Sequence, residues 1–362
     1  MTSRSIARSL AAEAVIARLL ALLALPGLAL AAEVTDMPPA LRGDAELSYS
    51  GAFFSGPIVE DGERIIGTRR QRHDLDLSLA FAVTDGLAVT AGLDITPSLG
   101  VSFTDDGTQM AYDPVTNSGT YTGGPELGAG PNRSGGGLVG VWLGVAAGPY
   151  GRWMKTPEQF SWRVDVGVRV PNSGGTFFEA ADGSRGAAPG GTGFRIAGAF
   201  AVERGSFEPY MRMAYQYESR AVIDIGDEQG DAIIDATVQA PSLFDLMGGV
   251  EFILAENREI GQRIALDVFV STGYRTRGDG ASGVYLPDVI EQSRSLVVTT
   301  SEHLVGGGGL GLIVNPNEYI GFRLAGDISA FTPYRIEHPF PVYQGAGSHQ
   351  IGVNASVRGH IR

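Results

Sequence analysis

The sequence predicts an all-β chain, a 12-stranded antiparallel transmembrane β-barrel with short periplasmic turns and long extracellular loops. Three observations carry that expectation: long two-faced strands, connections sorted by length, and a single apolar run at the start. In residues 160–171, Phe160, Trp162, Val164, Val166, Val168 and Val170 alternate with Ser161, Arg163, Asp165, Gly167, Arg169 and Pro171. A period of two gives a strand one oily and one wet face. Soluble strands usually run about 5–6 residues, whereas a strand crossing an outer membrane needs about 9–11. This one is long enough to cross, with charges only on its wet face.

Taken in order, the first expected strand is 44–53, with Leu47, Tyr49 and Phe53 against Glu46, Ser48 and Ser50. The second, 70–83, sets Leu75, Leu77, Leu79, Phe81 and Val83 against Asp74, Asp76 and Ser78. Thr84-Asp85-Gly86 has hairpin chemistry. The third is 87–103, with Asp94 on its polar face. The fourth, 137–147, does not alternate cleanly through Val141-Trp142-Leu143. The opening stretch is the fifth. The sixth is 193–203, with Arg195 and Glu203 polar, and the seventh is 208–222, with Arg212, Gln216 and Glu218. The eighth (241–254) carries Asp245 and Glu251, and the ninth (263–274) carries Arg263 and Asp267. The tenth, 302–314, is Gly-rich. The eleventh (319–331) places Arg323 and Asp327 on its polar face, and the twelfth (350–361) places Arg358 and His360 there.

The connections alternate long and short along the chain, which is the arrangement of an outer-membrane barrel that starts and ends inside the cell envelope. A soluble β-sandwich, the alternative fold, has no reason to sort its loops. Phe160, Trp162, Tyr210, Tyr319, Tyr150 and Trp153 are expected as a belt near the short turns. Phe53, Phe54, Phe103, Tyr215, Tyr217, Tyr274 and Phe331 are expected as a second belt near the long loops.

Residues 1–32 read as a cleaved signal peptide: Arg4 and Arg8 lead, an apolar run follows Arg18, and Ala29-Leu30-Ala31 suits a peptidase. An uncleaved anchor is the competing reading. Residues 33–42 are an expected periplasmic lead and 43–362 the barrel. Export and the lack of a later helix-length apolar run place the chain in the bacterial outer membrane. The 362-residue chain carries a formal charge of −13, and the segment 1–32 holds three Arg and one Glu, so the rest stands near −15. That acidity speaks against nucleic acid, which wants a basic face. There is no Cys, hence no disulfide and no thiolate ligand. Gly numbers 52, about twice the usual share of ~7%, which suits walls where backbones crowd.

Between Gly137 and Tyr274 the features fall in a familiar order. A Gly-rich strand with Val-Trp-Leu-Gly-Val (141–145) precedes Val-Gly-Val-Arg-Val-Pro-Asn-Ser-Gly (166–174), a Gly-rich loop and the hairpin 193–217. This resembles the bacterial outer-membrane barrels grouped with the phenol-degradation meta-pathway proteins. The resemblance implies a transporter-like role and no catalytic residue.

A charge facing lipid at the midplane costs about 2–4 kcal/mol for Arg or Lys, so charged side chains on the strands are expected to point inward. The candidate lumen residues are Arg163, Asp165, Arg169, Arg195, Arg212 and Asp245, with Glu251, Arg263, Asp267, Arg323, Asp327 and Arg358. Such a lining reads as a passive channel or transporter for small solutes. The competing reading is that opposite charges pair and plug the barrel. Acids outnumber Arg on these faces, which leans toward cations.

Two other functions compete. A hydrolase would need His73, beside Asp74 at the expected outer rim, or His360, and neither has a matching nucleophile set or an H-E-x-x-H or G-x-S-x-G motif. A structural or adhesive barrel would act through its loops. The acidic run Asp224, Asp227, Glu228 and Asp231 fits no calcium loop. Arg69, Arg70 and Arg72 are expected at the outer rim, within reach of lipid phosphates. The expected partners are outer-membrane lipid and lipopolysaccharide, the barrel-assembly machinery and small solutes. No catalytic residue, metal or cofactor is expected.

Overall fold

In the computed structural model the described residues are 35–60, 63–104, 109–113, 118–122, 133–149, 160–171, 191–226, 232–279, 299–337 and 343–361. Twelve wall strands make one closed antiparallel sheet. They are β1 (Gly43–Glu60), β2 (Glu63–Thr84), β3 (Leu87–Thr104), β4 (Arg133–Ala147), β5 (Phe160–Pro171), β6 (Gly193–Val202), β7 (Phe207–Glu218), β8 (Leu243–Asn257), β9 (Gln262–Arg275), β10 (His303–Asn317), β11 (Ile320–Phe331) and β12 (His349–Ile361). Each pairs with its sequence neighbour, and β1 pairs with β12 from Gly43↔Ile361 to Ser55↔His349. Closure leaves no sheet edge, the condition under which strands can sit in hydrocarbon.

The two faces separate as the alternation requires. Val168 and Val170 of β5, Leu143 of β4, Val270 of β9 and Ile328 of β11 are exposed on the outside. Ser161 and Arg169 of β5, Arg212 of β7 and Asp267 of β9 are buried on the inside. The irregular fourth strand has a local cause. Its pairing with β3 slips at Asp94/Ile95 and again at Thr96/Leu99, and Trp142 points inward. There it lies against Gly92, Gly167 and Gly193, where a side chain would press on the indole. The Gly content of these strands makes room for one large ring.

Several expectations change. The first outer connection is not a loop: β1 and β2 run on as one hairpin to Glu60↔Glu63. Short strands from the outer loops extend the sheet beside it, in the order Gly278–Asp279, Thr299–Thr300, Tyr334–Glu337 and Tyr343–Gly345. The last pairs with β1 at Ile58↔Gly345 and covers Ile58. Phe54 and Phe331 are not belt residues. Register turns both inward, where their rings meet edge to face at 5.3 Å. Arg70 shares that inner face and lies over Phe54, while Arg69 faces out. Tyr210 also points inward and is buried, because it shares the phase of Arg212 on β7. His73 faces outward between Tyr49 and Phe53. Tyr150, Trp153, Asp227, Glu228, Asp231, His338 and the expected signal segment lie outside the described residues.

The lead has a structure that its sequence does not announce. Arg42 N–H donates to Pro39 C=O at 3.0 Å, closing a turn in which Leu41 takes a left-handed φ of 62°. A non-Gly residue there costs about 1–3 kcal/mol, and here the bend sends the chain back inside. Met37 is buried against Ala82, Ala88 and Ala146 of the interior face. Thr35 Oγ1 meets Ser161 Oγ at 2.8 Å, and Arg163 donates to Asp36 C=O at 2.9 Å. Small side chains on β2, β3 and β4 leave the space that the lead fills.

The face assignment is testable. Val168→Arg should destabilise the folded barrel in vesicles by about 2–4 kcal/mol, read as a shift in denaturant midpoint. Val168→Leu should leave the midpoint in place; equal behaviour of the two variants would contradict an outward Val168.

Candidate functional site

The interior is the candidate site, and its chemistry divides along the circumference. On the arc from β6 to β11 the short-turn half is packed. Tyr210, Met247, Phe269 and Ile313 form an apolar cluster with Ala199, Ala201, Ala265 and Ala325. From β8 to β11 the inward charges other than Asp327 are matched. Arg263 donates to Glu251 at 2.5 Å and to Glu208 at 3.1 Å. Asp267, fully buried, accepts from Arg323 at 2.7 Å and from the Tyr210 hydroxyl at 2.9 Å. Nearer the long loops, Arg275 pairs with Asp245 at 2.6 Å. At the seam, Asp44 accepts from Arg358 at 2.7 Å and from His360 Nδ1 at 2.6 Å. Such pairs hold because removing either partner strands a buried charge.

The arc from β1 to β7 is different. Arg163 grips Asp165 through Nε and Nη2 at 3.0 and 2.7 Å. Arg169 pairs with Glu218 at 2.8 Å and lies over the Trp142 ring, 5.6 Å from its centroid. Trp142 Nε1 donates to Asp94. Arg72 donates to Asp74 at 2.8 Å, and Thr96 adds a hydroxyl at 2.7 Å. After these pairs, Arg195, Arg212 and Asp76 remain, besides Arg70, which lies over the Phe54 ring near the long loops. Arg195 and Arg212 make no hydrogen bond or ion pair among the described residues, although Arg212 is buried. Asp76 makes no side-chain hydrogen bond among them either, and stands directly across the ladder from Asp94.

These groups feel one another across the interior. Arg195 of β6 is within electrostatic reach of Asp76 on β2 and Asp94 on β3. Arg212 of β7 is within reach of Glu46 on β1 as well as of Arg163 and Asp165. Asp76 and Asp94 of β2 and β3 and Arg195 and Arg212 of β6 and β7 thus share the interior, with the lead on its short-turn side.

All twelve residues expected at the lumen from sequence fall on the inner phase of their strands. Arg163, Asp165 and Arg169 belong to the wet arc with Arg195 and Arg212. Asp245, Glu251, Arg263, Asp267 and Arg323 belong to the packed, matched arc. Arg358 is taken up by Asp44 at the seam. Asp327 sits apart, between Gly309 and Gly352 by register, with Ser329 Oγ at 3.4 Å. Glu203 lies past the end of β6 and pairs with Arg258 of the next turn. Sequence reasoning missed Trp142, Tyr210 and the lead. Only the broken alternation at Trp142 hinted at any of them. Most of the acids behind the lean toward cations are held by an Arg.

The matched arc makes a sharp prediction. Arg263→Met should cost about 3–5 kcal/mol, since Glu208 and Glu251 are left buried together. Denaturant unfolding of the reconstituted barrel reads this; a change below about 0.5 kcal/mol would mean an ordinary surface site.

No family model and no curated protein matches the chain. Among solved structures, an outer-membrane channel from Pseudomonas putida F1 is similar with a TM-score of 0.52 and 10% identity, over 92% of this chain and 100% of that one. A Pseudomonas aeruginosa FadL homologue aligns at 0.41 and 10%, over 88% of this chain and 90% of that one. A mutant of the TodX monoaromatic hydrocarbon channel aligns at 0.42 and 10%, over 91% and 93%. At such identity the first of these likenesses is one of fold, and that fold is the closed barrel of an outer-membrane protein.

Proposed function

We propose that the chain is a passive outer-membrane channel for small solutes, working through the charged interior between β1 and β7. One observation carries the reading: among the described residues Arg195 and Arg212 make no hydrogen bond or ion pair, and the Asp76 carboxylate makes no hydrogen bond. An interior built only for packing pairs its charges, as β8 to β11 do for all but Asp327, because an unmatched buried charge is costly. Charges left free in the interior supply the field that a selective path needs. The likeness in fold to a solved outer-membrane channel supports the same reading. The exposed apolar band outside, with Phe160 and Trp162 at its short-turn end, supports a place in a bilayer. The signal peptide expected over 1–32 and cleaved on export belongs to the same proposal.

Two measurements test it. The purified full chain should raise discrete conductance steps in planar bilayers and admit small solutes in liposome swelling; a barrel that does neither is not a channel. Deleting residues 35–42 removes Met37 and Thr35 from the interior and should enlarge the step. An unchanged step would mean that solutes do not pass the lead. Heat-dependent gel migration shows that each preparation is folded.

A further inference from the structure

The outer face of the wall is not apolar all round. From β5 to β11 no outward position carries a charged side chain. On β12, β1 and β2 that pattern breaks near the long loops. Ser55 of β1 stands across the ladder from Arg69 of β2 on one side and from His349 of β12 on the other. Three outward side chains thus form one row over adjacent strands, about 10 Å wide at the usual strand spacing. Arg69 and His349 are exposed, and among the described residues neither makes a hydrogen bond or an ion pair. Arg70 and Arg72, beside Arg69 in sequence, are turned inward and engaged there, with the Phe54 ring and with Asp74.

The row sits at the height of a lipid headgroup. Phe81, exposed near the short-turn end of β2, belongs to the lower part of the apolar band. Arg69 lies twelve residues nearer the long loops on the same strand. At about 3.4 Å per residue and a tilt of about 40°, that is about 30 Å of height, a little more than an apolar band of about 25 Å. Just below the row, the Tyr49 hydroxyl meets His73 Nδ1 at 3.0 Å, and Phe53 closes on the same imidazole edge to face. Amphipathic rings of this kind belong to a membrane interface.

The chain as a whole repels anions, with a formal charge of −13. An anionic lipid gains nothing from its overall field, so a phosphate at this row is held by local donors. The planar Arg69 guanidinium can give two parallel N–H groups to one phosphate. The imidazole and the hydroxyl beside it supply further donors. We propose that Arg69, Ser55 and His349 form a docking row, at the β1–β12 seam, for a phosphate of lipopolysaccharide in the outer leaflet. The proposal shares with the channel reading only a place in the bilayer and does not require conduction.

The test is calorimetric titration of the detergent-solubilised full chain with bisphosphorylated lipid A, with its dephosphorylated form and with inorganic phosphate. EDTA is present throughout, so that no divalent ion bridges phosphate to a carboxylate. Lipid A should bind, its dephosphorylated form should bind about tenfold more weakly, and inorganic phosphate should give no measurable heat. Arg69→Gln should lose about tenfold in lipid A affinity and His349→Gln about threefold. Arg69→Lys, which keeps the charge, should stay within about threefold of the parent chain. Arg70→Gln should bind as the parent does, because Arg70 faces inward. Heat-dependent gel migration shows that each variant is folded. Equal affinity for the two lipid forms would overturn the proposal, as would unaltered binding in folded Arg69→Gln or an equal loss in Arg70→Gln. Inorganic phosphate bound as tightly as lipid A would make the ligand a free anion and overturn it too, and so would absence of binding by the parent chain. Conductance keeps the two readings apart. A conducting barrel that ignores lipid A loses the docking row alone, whereas a barrel that binds lipid A and never conducts loses the channel and keeps the row.

Discussion

The pairing of β1 with β12 is the constraint on which the rest depends. Thirteen residue pairs, from Gly43↔Ile361 to Ser55↔His349, close the wall. Once it is closed, the wall has no open edge along its shared length, and the outer face is free to be apolar. The cost moves inside. Alternate residues on twelve strands face a confined space, and whatever charge they carry must be matched, wetted or left to act. Interior chemistry is thus the part of this molecule that its fold does not decide.

The chain resolves that space in three ways. The β6–β11 arc fills it, with Met247, Phe269 and Ile313 packed and with Arg263 and Arg323 held by carboxylates. The lead fills a second sector, entering because Leu41 bends it back and because Ala82, Ala88 and Ala146 leave room for Met37. The third sector stays charged. Its Trp142 ring takes the Asp94 carboxylate on its edge and the Arg169 guanidinium near its face. It thereby lies between an acid of β3 and a base of β5.

Much of the wall was legible in the sequence. Twelve alternating stretches became twelve strands, because a period of two reports faces directly and needs no knowledge of partners. The sign of each face was legible too, since a charge on β5 such as Arg169 cannot face lipid cheaply. What was hidden depends on relations between strands. Tyr210 and Phe54 have the size and amphipathic character of belt residues, and only the register shows them inside. The slip at Asp94/Ile95 broke the fourth strand's pattern, and a bulge looks in sequence like a weak strand. The first outer hairpin was hidden because its stabilising partner, Tyr343–Gly345, lies far along the chain.

The matching of charges was the least legible of all. Counting acids and bases on the inner faces gives an acidic total and a lean toward cations. The count treats each residue as independent, yet pairing is set by register and by the distance across the barrel. Glu208 and Glu251 both serve Arg263; Asp267 serves Arg323; Asp44 serves Arg358. The residue left over decides the local field, and on the β6–β7 wall that residue is a pair of Arg. A barrel of net acidic sequence can therefore hold a locally basic step. The same reasoning explains why Arg195 and Asp76 must be read together: they are remote in sequence and on separate hairpins, and their joint effect on a solute comes only from sharing one interior.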